Sequence, residues 1–123
     1  MMTPDEFLKE WKNENPMVEV KTSGSTGTPK KMWVEKRRMR ASAGMTCEFL
    51  GLKEGNSALL CMPVDYIAGK MMVVRAVEHG MNLFSVVPSG HPLSDESLNN
   101  GSWIVGESES KNFDFVAILL EID

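Results

Sequence analysis

Apolar positions along the chain change several times between helical and strand spacing. Thr3-Pro4-Asp5-Glu6 combines a capping threonine, a proline at the first helical position and a glutamate three residues after the cap. Phe7, Leu8 and Trp11 then form one apolar stripe, so a helix is predicted that stops before Pro16. Residues 17–20, Met-Val-Glu-Val, alternate as a strand does and run directly into a polar loop. Residues 31–34 can return as a second short strand, which makes that loop the tip of a hairpin. From Lys36 onward, Met39, Ala43, Cys47 and Leu50 fall at helical spacing, and Gly51 stands where a helix-ending glycine belongs. Ser57–Cys61 reads as a buried strand, Ile67–His79 as a helix closed by Gly80, and 82–87 as the next strand. This alternation predicts an α/β fold with a mixed, mostly parallel sheet and flanking helices.

The last third is less periodic. Pro88-Ser89-Gly90-His91-Pro92 is a turn cluster, residues 94–102 with Asn99-Asn100-Gly101 read as loop, and 113–120 is an apolar strand. A strand in that position, with no further elements to flank it, predicts an exposed edge or apolar face and hence self-association. Neither internal repeats nor a long low-complexity tract interrupts the pattern.

Composition refines the picture without changing it. The 123 residues suit one small domain, and the hydrophobic and charged fractions, 42% and 24%, are those of a soluble globular protein. No apolar run approaches the roughly 20 residues needed to span a bilayer. The acidic start, Met1-Met2-Thr3-Pro4-Asp5-Glu6, is unlike a secretory signal, so a cytoplasmic protein is expected. Cys47 and Cys61 lie among apolar residues without metal or redox spacing and are read as reduced core thiols, with no metal site. The chain has ten methionines, and Met32, Met39, Met45, Met62, Met71, Met72 and Met81 fall inside predicted elements, which favours core packing over a binding face. Charge is uneven: Lys30, Lys31, Lys36, Arg37, Arg38 and Arg40 oppose Glu35 alone, while residues 94–123 are acidic.

The candidate chemistry lies in Thr22-Ser23-Gly24-Ser25-Thr26-Gly27-Thr28-Pro29-Lys30. Its glycines allow restricted backbone angles and close approach to a ligand, successive N–H groups can form an anion nest, and the hydroxyls and Lys30 suit phosphate oxygens. It is not a Walker A loop, because the lysine follows Gly27 by three residues and Pro29 intervenes. By composition alone the run also fits a plain flexible loop.

The order of residues separates those readings. T-S-G-S-T-G-x-P-K resembles the phosphate loop of the AMP-forming adenylate synthetases, which include acyl-CoA synthetases, firefly luciferase and peptide-synthetase adenylation domains. The stretch from Ala58 through Pro63, Tyr66 and Gly69 to Ala76 is similar to the family's next segment, and Tyr66-Ile67-Ala68-Gly69-Lys70-Met71-Met72 most resembles short o-succinylbenzoate-CoA ligases of menaquinone biosynthesis. The resemblance covers about residues 17–93. The family's later segments have no counterpart: no Tyr-Gly-x-Thr-Glu, no Thr-Gly-Asp, no hinge and no C-terminal catalytic lysine. Residues 1–123 are therefore expected to form a single, incomplete N-terminal AMP-binding domain, part of the family's large domain, without the C-terminal domain.

The resemblance implies ATP, Mg2+ and CoA as cofactors and a small-molecule carboxylate as substrate, activated as an acyl-adenylate and then transferred to CoA. It places Thr22, Ser23, Gly24, Ser25, Thr26, Gly27 and Lys30 on the β- and γ-phosphates, with Lys30 the catalytic cation. It places Tyr66 and Gly69 at the acyl site, where Asp65 departs from the usual residue. Lys70, in the first turn of its helix, is a candidate anchor for a dicarboxylate, with a surface lysine as the alternative; Tyr66 has the alternative of a packed core residue. Arg75 is expected to face elsewhere. His79 reads as a helix-end cation and His91 as a loop residue, so no hydrolytic triad is indicated. Behind the reading of a ligase part unable to turn over alone stand two others: a non-catalytic remnant or regulatory module, and, weakest, a nucleic-acid binder acting through 30–40. In that last case the acidic whole and a single interleaved aromatic, Trp33, argue instead for a solvated basic face.

Overall fold

Helix α1 (Pro4–Lys12) begins as its sequence dictates. The Thr3 hydroxyl accepts from the Glu6 N–H and the Glu6 carboxylate accepts from the Thr3 N–H, each at 3.1 Å, while Phe7 and Trp11 are buried. The computed structural model describes residues 1–22, 27–88, 91–109 and 112–118. Strands β1 (Met17–Thr22) and β2 (Lys30–Glu35) pair antiparallel from Met17↔Glu35 to Thr22↔Lys30, so the polar loop is a hairpin tip as expected. Val18 and Val20 point inward and Glu19 outward.

Helix α2 (Lys36–Leu50) buries Met39, Ala43 and Cys47 and ends at Gly51, whose φ of 67° lies in the left-handed region. Strand β3 (Ser57–Cys61), helix α3 (Ile67–His79, closed by Gly80) and strand β4 (Asn82–Ser85) follow. A short helix α4 (Asp95–Asn99), strand β5 (Ser102–Val105) and strand β6 (Phe115–Ile118) complete the described elements.

The main sheet has the order β5-β4-β3-β6: β3 runs parallel to both β4 and β6, and β5 is antiparallel to β4. Alternate sheet residues face opposite ways. Ala58, Leu60 and Leu83 join α1, α2 and α3 in the larger core, whereas Leu59, Cys61, Phe84 and Val86 pack with Leu98, Trp103 and Phe113. Both cysteines are buried and neither forms a disulfide.

Several expectations need correction. The first hairpin forms its own two-stranded sheet, joined to the rest among the described residues by one isolated backbone bridge, Lys21↔Tyr66. Part of the stretch read as loop is helix α4, capped by Ser94, and β5 starts at Ser102. Strand β4 stops at Ser85, two residues early. Met39, Met71, Met72 and Met81 are core residues, but Met32 and Met45 are exposed. Met32 sits in the exposed part of β2, which is half-buried only at Val34 and Glu35, and Met45 lies two residues from both Ala43 and Cys47, on the outward side of α2.

The basic stretch is also not uniform. Arg37 and Arg38 are solvated, but Lys36 is only 3% exposed. Its ammonium donates to the Glu10 and Asn13 carbonyls at 2.9 and 3.0 Å and to Asn13 Oδ1 at 2.8 Å, closing the C-terminal end of α1. Burial pushes its pKa down, and the neighbouring Arg40 adds to that.

Candidate functional site

Strand β1 delivers the hydroxyl- and glycine-rich run to one end of the hairpin. Thr22 is half-buried, pairs with Lys30 across the strand ends and directs its hydroxyl at the Lys30 carbonyl, 3.5 Å away. Gly27 has a φ of 82°, a backbone conformation that side-chain-bearing residues rarely adopt, and Lys30 is exposed. Ser23, Gly24, Ser25 and Thr26 lie outside the described residues.

The bridge from Lys21 to Tyr66 ties this hairpin to the turn between β3 and α3. At that junction lies a cavity of about 300 Å³, within the size range of small-molecule pockets. Lys21 and Thr22 line it from the hairpin, Met62 and Pro63 from the end of β3, and Tyr66, Ile67 and Ala68 from the start of α3. Tyr66 is the N-cap residue of α3 in extended conformation, and its half-buried side chain makes no capping bond, which leaves it to the cavity wall.

Gly69 does not line the cavity but shapes it. A Cβ there would collide with the Pro63 carbonyl oxygen and lie 3.1 Å from Val64 Cα, so only glycine lets α3 start this close to the turn. Lys70 is likewise absent from the lining and is 2% exposed. Its ammonium donates to the Val64 carbonyl at 2.7 Å, meets Met2 Sδ at 3.3 Å, and sits 4.7 Å from the centre of the Phe7 ring. These partners take up the three N–H directions of the amine and join α1, the turn and α3. Burial pushes the Lys70 pKa down; Glu10 and then Asp65 oppose the shift, and Lys21 adds to it. Asp65 fastens the same assembly from the other side by accepting from the Met2 N–H at 2.9 Å.

Arg75 faces away from the cavity, toward α2. Its guanidinium lies 3.6 Å from Met72 Sδ and near Cys47, with Nε buried and without a partner among the described residues. The residue that motif reading passed over is Lys21, which stands immediately before the loop and lines the cavity. Its signal in the sequence was a second charged residue in an alternating strand, one position before the strand gives way to the loop. Among the described residues no cluster of three or more His, Cys, Asp or Glu side chains is placed to hold a metal. No helix among them is long and apolar enough to cross a membrane.

Against known proteins, no family model matches the chain. It is similar to the 2-succinylbenzoate–CoA ligases of Bacillus mycoides (strain KBAB4) and Bacillus cereus (strain Q1), each 31% identical over 78 residues, which is 63% of this chain and 16% of each relative. The solved acyl-CoA synthetase (AMP-forming)/AMP-acid ligase II-like protein of Dyadobacter fermentans DSM 18053 superimposes on 90% of the chain with a TM-score of 0.73 and 36% identity, over 28% of its own length. The chain thus spans less than a third of the proteins it matches. Over the matched residues it is similar in sequence to the 2-succinylbenzoate–CoA ligases, and in sequence and fold to part of an AMP-forming acyl-CoA synthetase-like protein.

Proposed function

We propose that this chain provides the phosphate loop and part of the acyl site of an ATP-dependent carboxylate–CoA ligase, with 2-succinylbenzoate, the acid in the relatives' name, as its substrate. In the chemistry envisaged, the carboxylate attacks the α-phosphate of MgATP to give an acyl-adenylate and pyrophosphate, and the CoA thiol then displaces AMP. The reading rests most heavily on one juxtaposition: the Lys21↔Tyr66 bridge sets a hydroxyl-, glycine- and lysine-bearing hairpin beside an apolar cavity. The described ends of the loop suit a polyphosphate. Thr22 offers a hydroxyl, Gly27 a backbone free of side-chain strain, and Lys30 an exposed ammonium that can neutralise charge developing on departing pyrophosphate. Mg2+ would reach the site on the nucleotide phosphates.

Tyr66 and Gly69 belong to the acyl site in this scheme, Tyr66 as wall and Gly69 as the residue that lets α3 begin close to the turn. Lys70 acts from behind the wall, by holding Val64 and Phe7 in place. The residues shown here cannot complete both half-reactions alone in this scheme, and the rest of the site comes from polypeptide that aligns with the remaining length of the relatives. Calorimetric titration with MgATP tests the proposal. The parent chain is expected to bind, and Lys30→Ala to abolish binding without altering the circular dichroism spectrum. A parent that does not bind, or a Lys30→Ala variant that binds equally well, refutes the phosphate-loop assignment.

A further inference from the structure

A cavity walled by Met62, Ile67, Ala68 and the Tyr66 ring would take an apolar body, and one charged group changes what it selects. Lys21 is the sole charged residue among the described residues lining it. Its backbone is held on two sides, by the hairpin pair with Lys31 and by the bridge to Tyr66, so its half-buried side chain starts from a fixed place in the wall. Glu19 shares its side of β1 two residues earlier, yet the Lys21 ammonium forms no ion pair or hydrogen bond among the described residues. The other nearby amine, Lys70, is saturated by Val64, Met2 and Phe7 and sealed from the cavity.

We propose that Lys21 is the cation that receives a carboxylate of the acid substrate in this cavity, and so selects organic acids over neutral molecules of the same shape. The inference rests on the carboxylate-activating reading above and gives that reading its specificity-determining residue. An apolar enclosure strengthens a lysine–carboxylate contact relative to water, and the adjacent Thr22 begins the phosphate loop, so an acid held there lies beside the nucleotide's place.

Tyr66 is the chain's only tyrosine, which gives the cavity a built-in reporter. Ring-13C-labelled tyrosine would be followed by NMR while the full chain is titrated with 2-succinylbenzoate and, separately, with its neutral dimethyl ester. The acid is expected to shift the Tyr66 signal saturably. Lys21→Met is expected to weaken that binding roughly ten- to a hundredfold, while Lys21→Arg retains most of it and the ester's effect is the same in parent and Lys21→Met. Lys21→Gln serves if the methionine variant fails to fold. Equal acid affinity in the parent and the neutralised variant overturns the proposal, as does a parent whose Tyr66 signal ignores millimolar acid. The MgATP titration separates the two ideas: lost nucleotide binding with Lys21-dependent acid binding intact removes the adenylating scheme and leaves the Lys21 assignment standing.

Discussion

Lys70→Met keeps the aliphatic stem and removes the buried charge, so it isolates what the ammonium does. The variant leaves the Val64 carbonyl without its 2.7 Å donor, a loss of about 1–3 kcal/mol, and removes the contact with the Phe7 ring, worth up to about 2 kcal/mol when desolvated. Against this stands relief from holding a charge in a site that is 2% exposed. The two sides are similar in size at neutral pH, and the pH dependence distinguishes them. Because burial lowers the Lys70 pKa in the folded state, the unfolded chain binds the extra proton between the folded pKa and the ordinary value of 10.5. Below that window the destabilising effect of the buried charge is fully present, and it is relieved as pH rises toward 10.5. The stability of the parent minus that of Lys70→Met should therefore be flat below the folded-state pKa and climb within the window, by at most about 1.4 kcal/mol per pH unit. Urea denaturation of both proteins, at pH values from about 7 to about 10, measures it; taking the difference cancels other groups, including the Cys47 thiol, whose pKa burial pushes up. A difference that stays level, or falls with pH, refutes the account of Lys70 as a desolvated amine.

Two further outcomes follow from the geometry. Gly69→Ala sets a methyl group against the Pro63 carbonyl and Val64 Cα, which are backbone atoms with little room to yield; a loss of about 1–3 kcal/mol is expected in thermal or urea unfolding, together with a displaced Tyr66 ring signal, and a neutral substitution would contradict the close approach. Strand β6 borders the sheet with Val116 38% exposed, and Phe49 on α2 is 87% exposed. Self-association is accordingly proposed, measured as concentration-dependent mass in sedimentation equilibrium, and Val116→Lys should reduce it; a monomer at every concentration tested would dismiss it.

The sequence was most informative where a local signal decides the structure. Thr3 with Glu6, Gly51 and Gly80 mark helix ends through backbone chemistry confined to a few residues, and the structure places all of them there. The hairpin was legible for the same reason, since an alternating strand before a polar run and a short apolar run after it leave few other arrangements. Burial of long polar side chains was not legible. Lys36 reads as part of a solvated basic face and Lys70 as a dicarboxylate anchor or a surface lysine, and only the arrival of α1 converts one into its cap and the other into a buried strut against Phe7. Strand β5 was hidden because four residues starting with a serine carry too little periodicity, and its partner β4 decides its conformation. In the candidate site, the loop and Tyr66 were readable as motif residues, whereas Lys21 became visible only when the bridge set it beside Tyr66.

The order β5-β4-β3-β6 has a bearing on how the molecule is made. Strand β3, buried at all five positions, has β4 as its neighbour almost as soon as α3 is synthesised, but its opposite edge waits for β6, more than fifty positions downstream. The closing contact is local in chemistry and remote in sequence: Ser57 N–H donates to the Asp114 carboxylate at 2.9 Å and Asp114 N–H to the Ser57 carbonyl at 2.7 Å. Closing so long a loop is entropically slow, and a nascent chain would carry the bare apolar edge of β3 for the interval in which β4, α4 and β5 emerge. That interval, more than the finished surface, is when this sheet is most open to pairing with the wrong strand.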